Sequence, residues 1–200
     1  LITGKYRNVL WLNNIEYNYI KNNPWVKEKI EAVASFRKNS TASSTKVAAL
    51  TPYAFVQRGE WEAAYHSYLE SDHEEFTQIL VPCHSSENRE YVPMGIVGED
   101  VIIPNSAMVI YNAPIYLLGL LQSRMHMIWM RAIGGKLKTD YRYSAGLVYN
   151  TFPVPKISEQ AKKEIKDCVF EILDYREMSG KTLAELYDAK KMPEELLEIH

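Results

Sequence analysis

The chain has 200 residues, an apolar share of 46% and a formal net charge of −2. That length gives one large domain, or a domain with an appendage, and the apolar share excludes a chain too polar to build a core. A total so close to neutral excludes a uniformly basic nucleic-acid binder, so any such role must rest on how charge is distributed.

The distribution is uneven. Residues 1–60 carry net +5, 61–100 net −8, 101–155 net +4 and 156–200 net −3. Two basic segments separated by an acidic one can fold into a molecule with one positive face. Fourteen tyrosines suit interfaces, because tyrosine buries area and keeps a polar tip. Cys83 and Cys168 are far apart and in no metal spacing; they read as reduced thiols or as one disulfide. The chain opens on Leu1 inside a pattern, without a start methionine or a signal peptide, and so reads as part of something longer, expected in the cytoplasm. The apolar run Ala113–Ile133 is interrupted by Gln122, Ser123, Arg124, His126 and Arg131, which suits a buried or interfacial helix and not a membrane span.

Taken in order, Tyr6–Leu12 reads as a strand and Asn13-Asn14 as a turn. Asn23 and Pro24 suit the N-cap and first position of a helix with Val26, Ile30 and Val33 on its apolar face, ending near Arg37-Lys38. Residues 39–45 form a polar connection, 46–50 a short helix, and 61–69 another. The acidic stretch Glu70–Glu75, with His73, looks like an exposed insertion; a metal or hydrolytic role there lacks preorganisation. Strands are expected at 78–83, 91–97 (with Pro93 marking an edge or bulge), 101–103 and 107–111. One long helix is expected over Pro114–Ile133, with His126 a hydrogen-bonded core residue. Gly134-Gly135 suit a tight helix exit through φ > 0. The loop Gly134–Ser144 then sets Lys136, Lys138 and Arg142 among Tyr141 and Tyr143. Such a loop suits a phosphate backbone, or is a solvated surface loop with tyrosines packed inward. Leu147–Phe152 reads as extended. Ser158 caps a charged helix with Ile165, Val169, Ile172 and Leu173 on a narrow stripe. Gly180 ends it; short helices follow at Thr182–Tyr187 and from Pro193.

The expected fold class is α+β: a small mixed or antiparallel sheet with a long buried helix, then a helical appendage. Residues 1–155 read as one domain and 156–200 as the appendage. No glycine-rich loop, catalytic triad or nuclease arrangement of acids and lysine is visible. Asn23-Pro24-Trp25 lacks the second proline of the Asn-Pro-Pro-aromatic motif of amino-methyltransferases and reads as a helix start.

Several stretches together carry a resemblance. They are Tyr6-Arg-x-x-Leu-Trp-Leu12, Val81-Pro82 through Ser85-Ser-Glu-Asn-Arg-Glu-Tyr91 to Gly95, Ser123-Arg-Met-His-x-x-Trp129, Gly135-x-Leu-Lys-x-Asp-Tyr-Arg-Tyr-Ser144 and Tyr149-Asn-Thr-Phe-Pro-Val-Pro155. In this order they resemble the target recognition domain of MmeI-like type IIG restriction–modification enzymes and YeeA-type adenine DNA methyltransferases. Thr182–Asp188 and Met192–Leu196 are similar to the start of their C-terminal helical region. Residues 57–77 match least well.

The resemblance implies a non-catalytic, DNA-binding fragment. Its partners are double-stranded DNA and an upstream methyltransferase domain of the same parent chain, with no membrane. The parent would use S-adenosylmethionine, and Mg²⁺ where a nuclease domain is present. It places base readout at Glu87 and Arg89, with Tyr91 less securely aligned. Arginine can pair with guanine O6 and N7, and glutamate can accept from cytosine N4. Arg124, Lys136, Lys138, Arg142 and Tyr143 are then the candidate backbone contacts, with Asp140 and Tyr143 bracing their loop. The alternative function is a protein-interaction or structural module that does not bind DNA.

Overall fold

The computed structural model describes residues 4–5, 7–56, 58–71, 76–104 and 106–200. Residues 72–75, the centre of the acidic stretch weighed for a metal, lie outside the described residues, as do Tyr6 and Asn105. The chain forms two compact units: Arg7–Leu69, and Glu70–His200 together with the first residues.

The unit Arg7–Leu69 is helical. The expected strand over 6–12 is absent among its described residues, and Asn13 is an N-cap instead of a turn. Its side chain accepts from the Glu16 amide while Glu16 reaches back to the Asn13 amide, a capping box that starts α1 (Asn14–Ile20). Asn23 and Pro24 start α2 (Pro24–Lys38) as read from sequence, and Val26 and Ile30 are its buried residues. Then come α3 (Ser43–Val47), a 3₁₀ turn (Ala48–Leu50) and α4 (Arg58–Leu69). Arg37 donates to the Ala48, Thr51 and Ala54 carbonyls at 2.9, 3.0 and 2.9 Å, and so ties the turn to α2.

The other unit holds two small antiparallel sheets. In the first, β1 (Gln78–Pro82) lies between β3 (Gly95–Val97) and β4 (Ala107–Tyr111), with Ile79 opposite Ile96 and Ile110. Every residue of β1 is buried, so it is the sheet's core strand. At Cys83 the chain passes into the second sheet. The Cys83 amide donates to Ser106 of the first, and its carbonyl accepts from Tyr143 of the second. There β6 (Asp140–Arg142) lies between β2 (His84–Ser85) and β5 (Gly135–Leu137).

Two expected strands are short or missing for a reason visible in the hydrogen bonds. Around Pro93 the Met94 amide donates to the Val92 carbonyl, a γ-turn, so only Gly95–Val97 joins the ladder. Residues 101–103 form no strand; the buried Gln78 side chain donates to the Gly98 and Val101 carbonyls at 2.6 and 3.1 Å.

The expected long helix is two helices, α5 (Ile115–Gln122) and α6 (Arg124–Ile133). Ser123 separates them with extended backbone. Its hydroxyl donates to the Leu120 carbonyl and accepts from the His126 amide, ending one helix and capping the next. The segment expected as extended at 147–152 begins instead as a π-helical turn, Ala145–Tyr149, with Asn150 donating to Ala145. Ser158 caps α7 (Glu159–Met178), and Thr182 and Pro193 precede α8 (Leu183–Leu186) and α9 (Glu194–Ile199).

These C-terminal helices share the core of the sheets. Ile79, Val81, Leu118, Leu121, Met127, Val148, Val169, Ile172, Leu186 and Leu196 form one buried cluster. Gly119 lets α5 and α7 meet: a Cβ there would lie 2.5 Å from Ile165 and 2.9 Å from Val169 side chains. Both cysteines are free. Among the described residues no helix is long and apolar enough to cross a membrane.

Candidate nucleic-acid interface

The second sheet joins two stretches that lie some fifty residues apart in sequence. Ser85 pairs with Tyr141, and Tyr141 with Lys136 on its other side; His84 pairs with Arg142, and Arg142 with Gly135. The start of the Ser85–Tyr91 stretch is therefore hydrogen-bonded into the hairpin made by Gly134–Ser144.

Residues opposite one another across antiparallel strands share a face, and successive residues alternate. Lys136 thus shares a face with Tyr141, over whose ring its Nζ sits at 5.4 Å. Arg142 shares the opposite face with the exposed His84. Lys138 sits in the turn with φ +59. Lys136, Lys138 and Arg142 are all exposed, yet they do not line one wall; the hairpin carries cations on both faces. Its helix exit also differs from expectation. Gly134 has φ −63, so no left-handed backbone is used. What requires glycine is space, because a Cβ would fall 2.4 Å from the Met130 carbonyl oxygen.

After Ser85 the chain makes a tight turn, closed by the Arg89 amide on the Ser86 carbonyl at 3.2 Å. Glu87 and Asn88 are exposed at its tip. Arg89 is half-buried; its Nε donates to the Tyr187 carbonyl at 3.1 Å. Arg131 reaches across from α6 and donates to the Arg89 and Glu90 carbonyls at 3.3 and 2.5 Å. Its guanidinium is also 3.6 Å from the Glu90 carboxylate. Arg124 is exposed and lines a cleft of about 510 Å³ with Glu90, Tyr91, Lys190 and Met192.

Tyr91 and Tyr143 sit apart from the other candidates, because each is only 4% exposed. Burial raises both phenols above their ordinary pKa. Tyr143 hydroxyl and His126 Nε2 are 2.8 Å apart, and the fully buried His126 packs edge-on to Phe152. Burial lowers the His126 pKa to about 4, so the ring is neutral at pH 7 and has the core role read from its sequence setting. Among the described residues no group of three potential metal ligands gathers.

Sequence reasoning missed the residues that hold the loop. Arg176 is the clearest. It is 9% exposed and donates to the Met94 carbonyl, Gln122 Oε1 and the Tyr187 hydroxyl. The signal was present: Ile165, Val169, Ile172 and Arg176 follow the four–three–four spacing of one helical stripe, which puts a charge on the apolar face. Arg131 and Tyr187 had no local signal, since Arg131 acts on distant main-chain carbonyls and Tyr187 offers its own carbonyl to a distant side chain.

The family model of the MmeI target recognition domain matches residues 1–156. The chain belongs to that family. It is 50% identical over 199 residues to DNA methyltransferase A of Bacillus subtilis (strain 168). The alignment covers 100% of this chain and 21% of that protein. The fold is similar to the structure of the type IIL restriction–modification enzyme MmeI in complex with DNA, which is described as having implications for engineering of new specificities. The TM-score is 0.80 at 40% identity, over 96% of this chain and 24% of that one. The chain thus spans between a fifth and a quarter of either relative. The likeness to the Bacillus subtilis relative continues past residue 156, through α7, α8 and α9.

Proposed function

We propose that this target recognition domain reads a DNA sequence on behalf of an adenine-specific DNA methyltransferase, or restriction–modification enzyme, of which it is a part. The observation that carries the reading is the tethered tip of the Ser85–Tyr91 loop, built into the same sheet as a hairpin with cations on both faces.

The two parts suit two tasks. At the tip, the Glu87 carboxylate accepts from cytosine N4, and the terminal nitrogens of Arg89 donate to guanine O6 and N7. Carboxylate and guanidinium two residues apart suit the two sides of a C·G pair or adjacent pairs. The hairpin suits the phosphates. A major groove admits a two-stranded ribbon, and Lys136 and Arg142 would then face opposite phosphate walls, with Lys138 at the turn and Arg124 beside the loop. Tyr91 and Tyr143, being buried, brace these parts. The rest of the parent protein would hold the adenine, flipped from the duplex, and S-adenosylmethionine, with Mg²⁺ at any nuclease. This chain's own residues bind and orient.

The test uses the full-length protein. Substituting Glu87→Arg together with Arg89→Glu is expected to change the methylated sequence at the base pair, or the two adjacent pairs, that they face. Loss of methylation with an unchanged sequence preference would contradict base readout. Duplex binding should also weaken steeply with salt, as counterion release requires. A second reading, a protein-contact module, rests on the unit Arg7–Leu69, where Tyr19, Phe36 and Leu50 are 85, 74 and 82% exposed. Salt-insensitive binding to a protein, with no effect of Arg142 charge reversal on DNA, would favour it.

A further inference from the structure

An arginine that discriminates a base works best when it is held before DNA arrives, because a free side chain loses rotamer entropy on binding and accepts wrong partners. Arg89 is held in this way. Its Nε is engaged by the Tyr187 carbonyl, while its two terminal nitrogens meet no partner among the described residues. One bond at Nε fixes the guanidinium plane and leaves the other edge of the fork open.

Tyr187 is itself fixed. It is 1% exposed, and its hydroxyl meets Arg176 Nε at 3.1 Å and His200 Nε2 at 2.6 Å. Arginine has only donors, so the hydroxyl accepts from Arg176, and its bond to His200 runs in the direction that the imidazole tautomer sets. The His200 ring stacks on Tyr91, with centroids 4.3 Å apart and planes 18° apart. A circuit of contacts thus leaves the loop at Arg89, runs through Tyr187 and His200, and returns at Tyr91. Arg176 extends the support past the loop. It holds the Met94 carbonyl at 2.9 Å and Gln122 at 3.0 Å, and Gln122 donates to the Val92 carbonyl.

We infer that Tyr187 and His200 are positioning residues for Arg89, so that the unit which sets DNA specificity extends through α8 and α9, beyond residue 156 where the family match ends. This rests on Arg89 being a base-reading residue, as proposed above. One consequence is practical: a recognition domain exchanged between relatives with a junction at 156 would part Arg89 from its own anchor.

Two readouts on the full-length protein test this, with Tyr187→Phe, His200→Ala and the ring-preserving His200→Phe. Without DNA, amide hydrogen exchange is expected to rise roughly tenfold at 89–91 in Tyr187→Phe and His200→Ala, less in His200→Phe, and not at all in α2. On a duplex library randomised over the recognised site, discrimination at the pair read by Arg89 should fall roughly fivefold or more, while affinity for random duplex stays within about twofold. Exchange at 89–91 equal to the wild type, or base discrimination unchanged despite faster exchange, would overturn the inference. A uniform rise in exchange across the unit would also overturn it, since that marks a general stability role. Wild-type protein without any base preference would instead sink the DNA reading, and exchange alone would then decide whether these residues hold the loop.

Discussion

The Ser85–Tyr91 loop and the Gly135–Arg142 hairpin are neighbours in one sheet, yet they are held by different means. The hairpin is held by its own backbone ladder, with Tyr143 and His126 behind it. Its Lys136, Lys138 and Arg142 side chains are exposed. The loop is held by groups from far away: the Arg131 side chain from α6, and the Tyr187 main-chain carbonyl and His200 ring from the C-terminal helices. Ladder support survives side-chain substitution, whereas the parts of the loop's support that run through the Arg89, Arg131 and His200 side chains do not. The hairpin should therefore tolerate change and the loop should depend on residues that never touch a ligand.

The sharpest way to break the comparison is Arg176→Met. It leaves the Tyr187 hydroxyl, the Met94 carbonyl and Gln122 without their charged donor, and should cost about 3 kcal/mol of stability. Urea unfolding checks this, and hairpin substitutions such as Lys136→Ala should stay within about 0.5 kcal/mol of the wild type. Gly119→Ala is the next step down. A methyl there meets Ile165 and Val169 of α7, so a loss of about 1–3 kcal/mol is expected, with α7–α9 loosened beneath the loop.

Acid probes both regions at once. Burial lowers His126, behind the hairpin, to about 4, and His200, behind the loop, to about 3. Both folded values lie below the unfolded value of about 6.5, so the unfolded chain binds protons first. Stability should fall as pH drops below about 6.5, continue falling to about 4 and beyond, and be insensitive to these groups above 7. Imidazole NMR signals of both residues should stay at their neutral positions from pH 7 to 5; a midpoint near 6.5 for either would contradict its burial.

The smallest expected effects are on the hairpin. Lys136→Ala and Arg142→Ala should each reduce the salt slope of duplex binding by about one and weaken all sequences alike.

Much of this was legible in the sequence where the signal is local. Asn23-Pro24, Ser158 and Thr182 mark helix starts because a cap acts on amides two or three residues away. The strands at 78–82 and 107–111 showed in β-branched and apolar runs. The break at Ser123 did not show, because the apolar stripe runs on through it and only the serine's two hydrogen bonds end it. The π-helical turn at 145–149 looked extended because Leu-Val-Tyr is strand-like composition. The six exposed or half-exposed candidates were legible as residue types, and the motif resemblance ordered them. That Lys136 and Arg142 face opposite ways depends on the register of β5 against β6. That Arg89 is anchored by a carbonyl ninety-eight residues away depends on tertiary packing. Neither has any local trace.

The division between a loop that reads and a hairpin that holds is tested most directly by selecting from one randomised duplex library with the full-length protein carrying Arg89→Ala or Arg142→Ala. The account predicts that Arg89→Ala loses preference at a single base pair, by about 1–3 kcal/mol, while Arg142→Ala keeps the preferred sequence and binds every sequence more weakly. An Arg142→Ala protein that selects a different sequence, beside an Arg89→Ala protein that selects the original one, would contradict it.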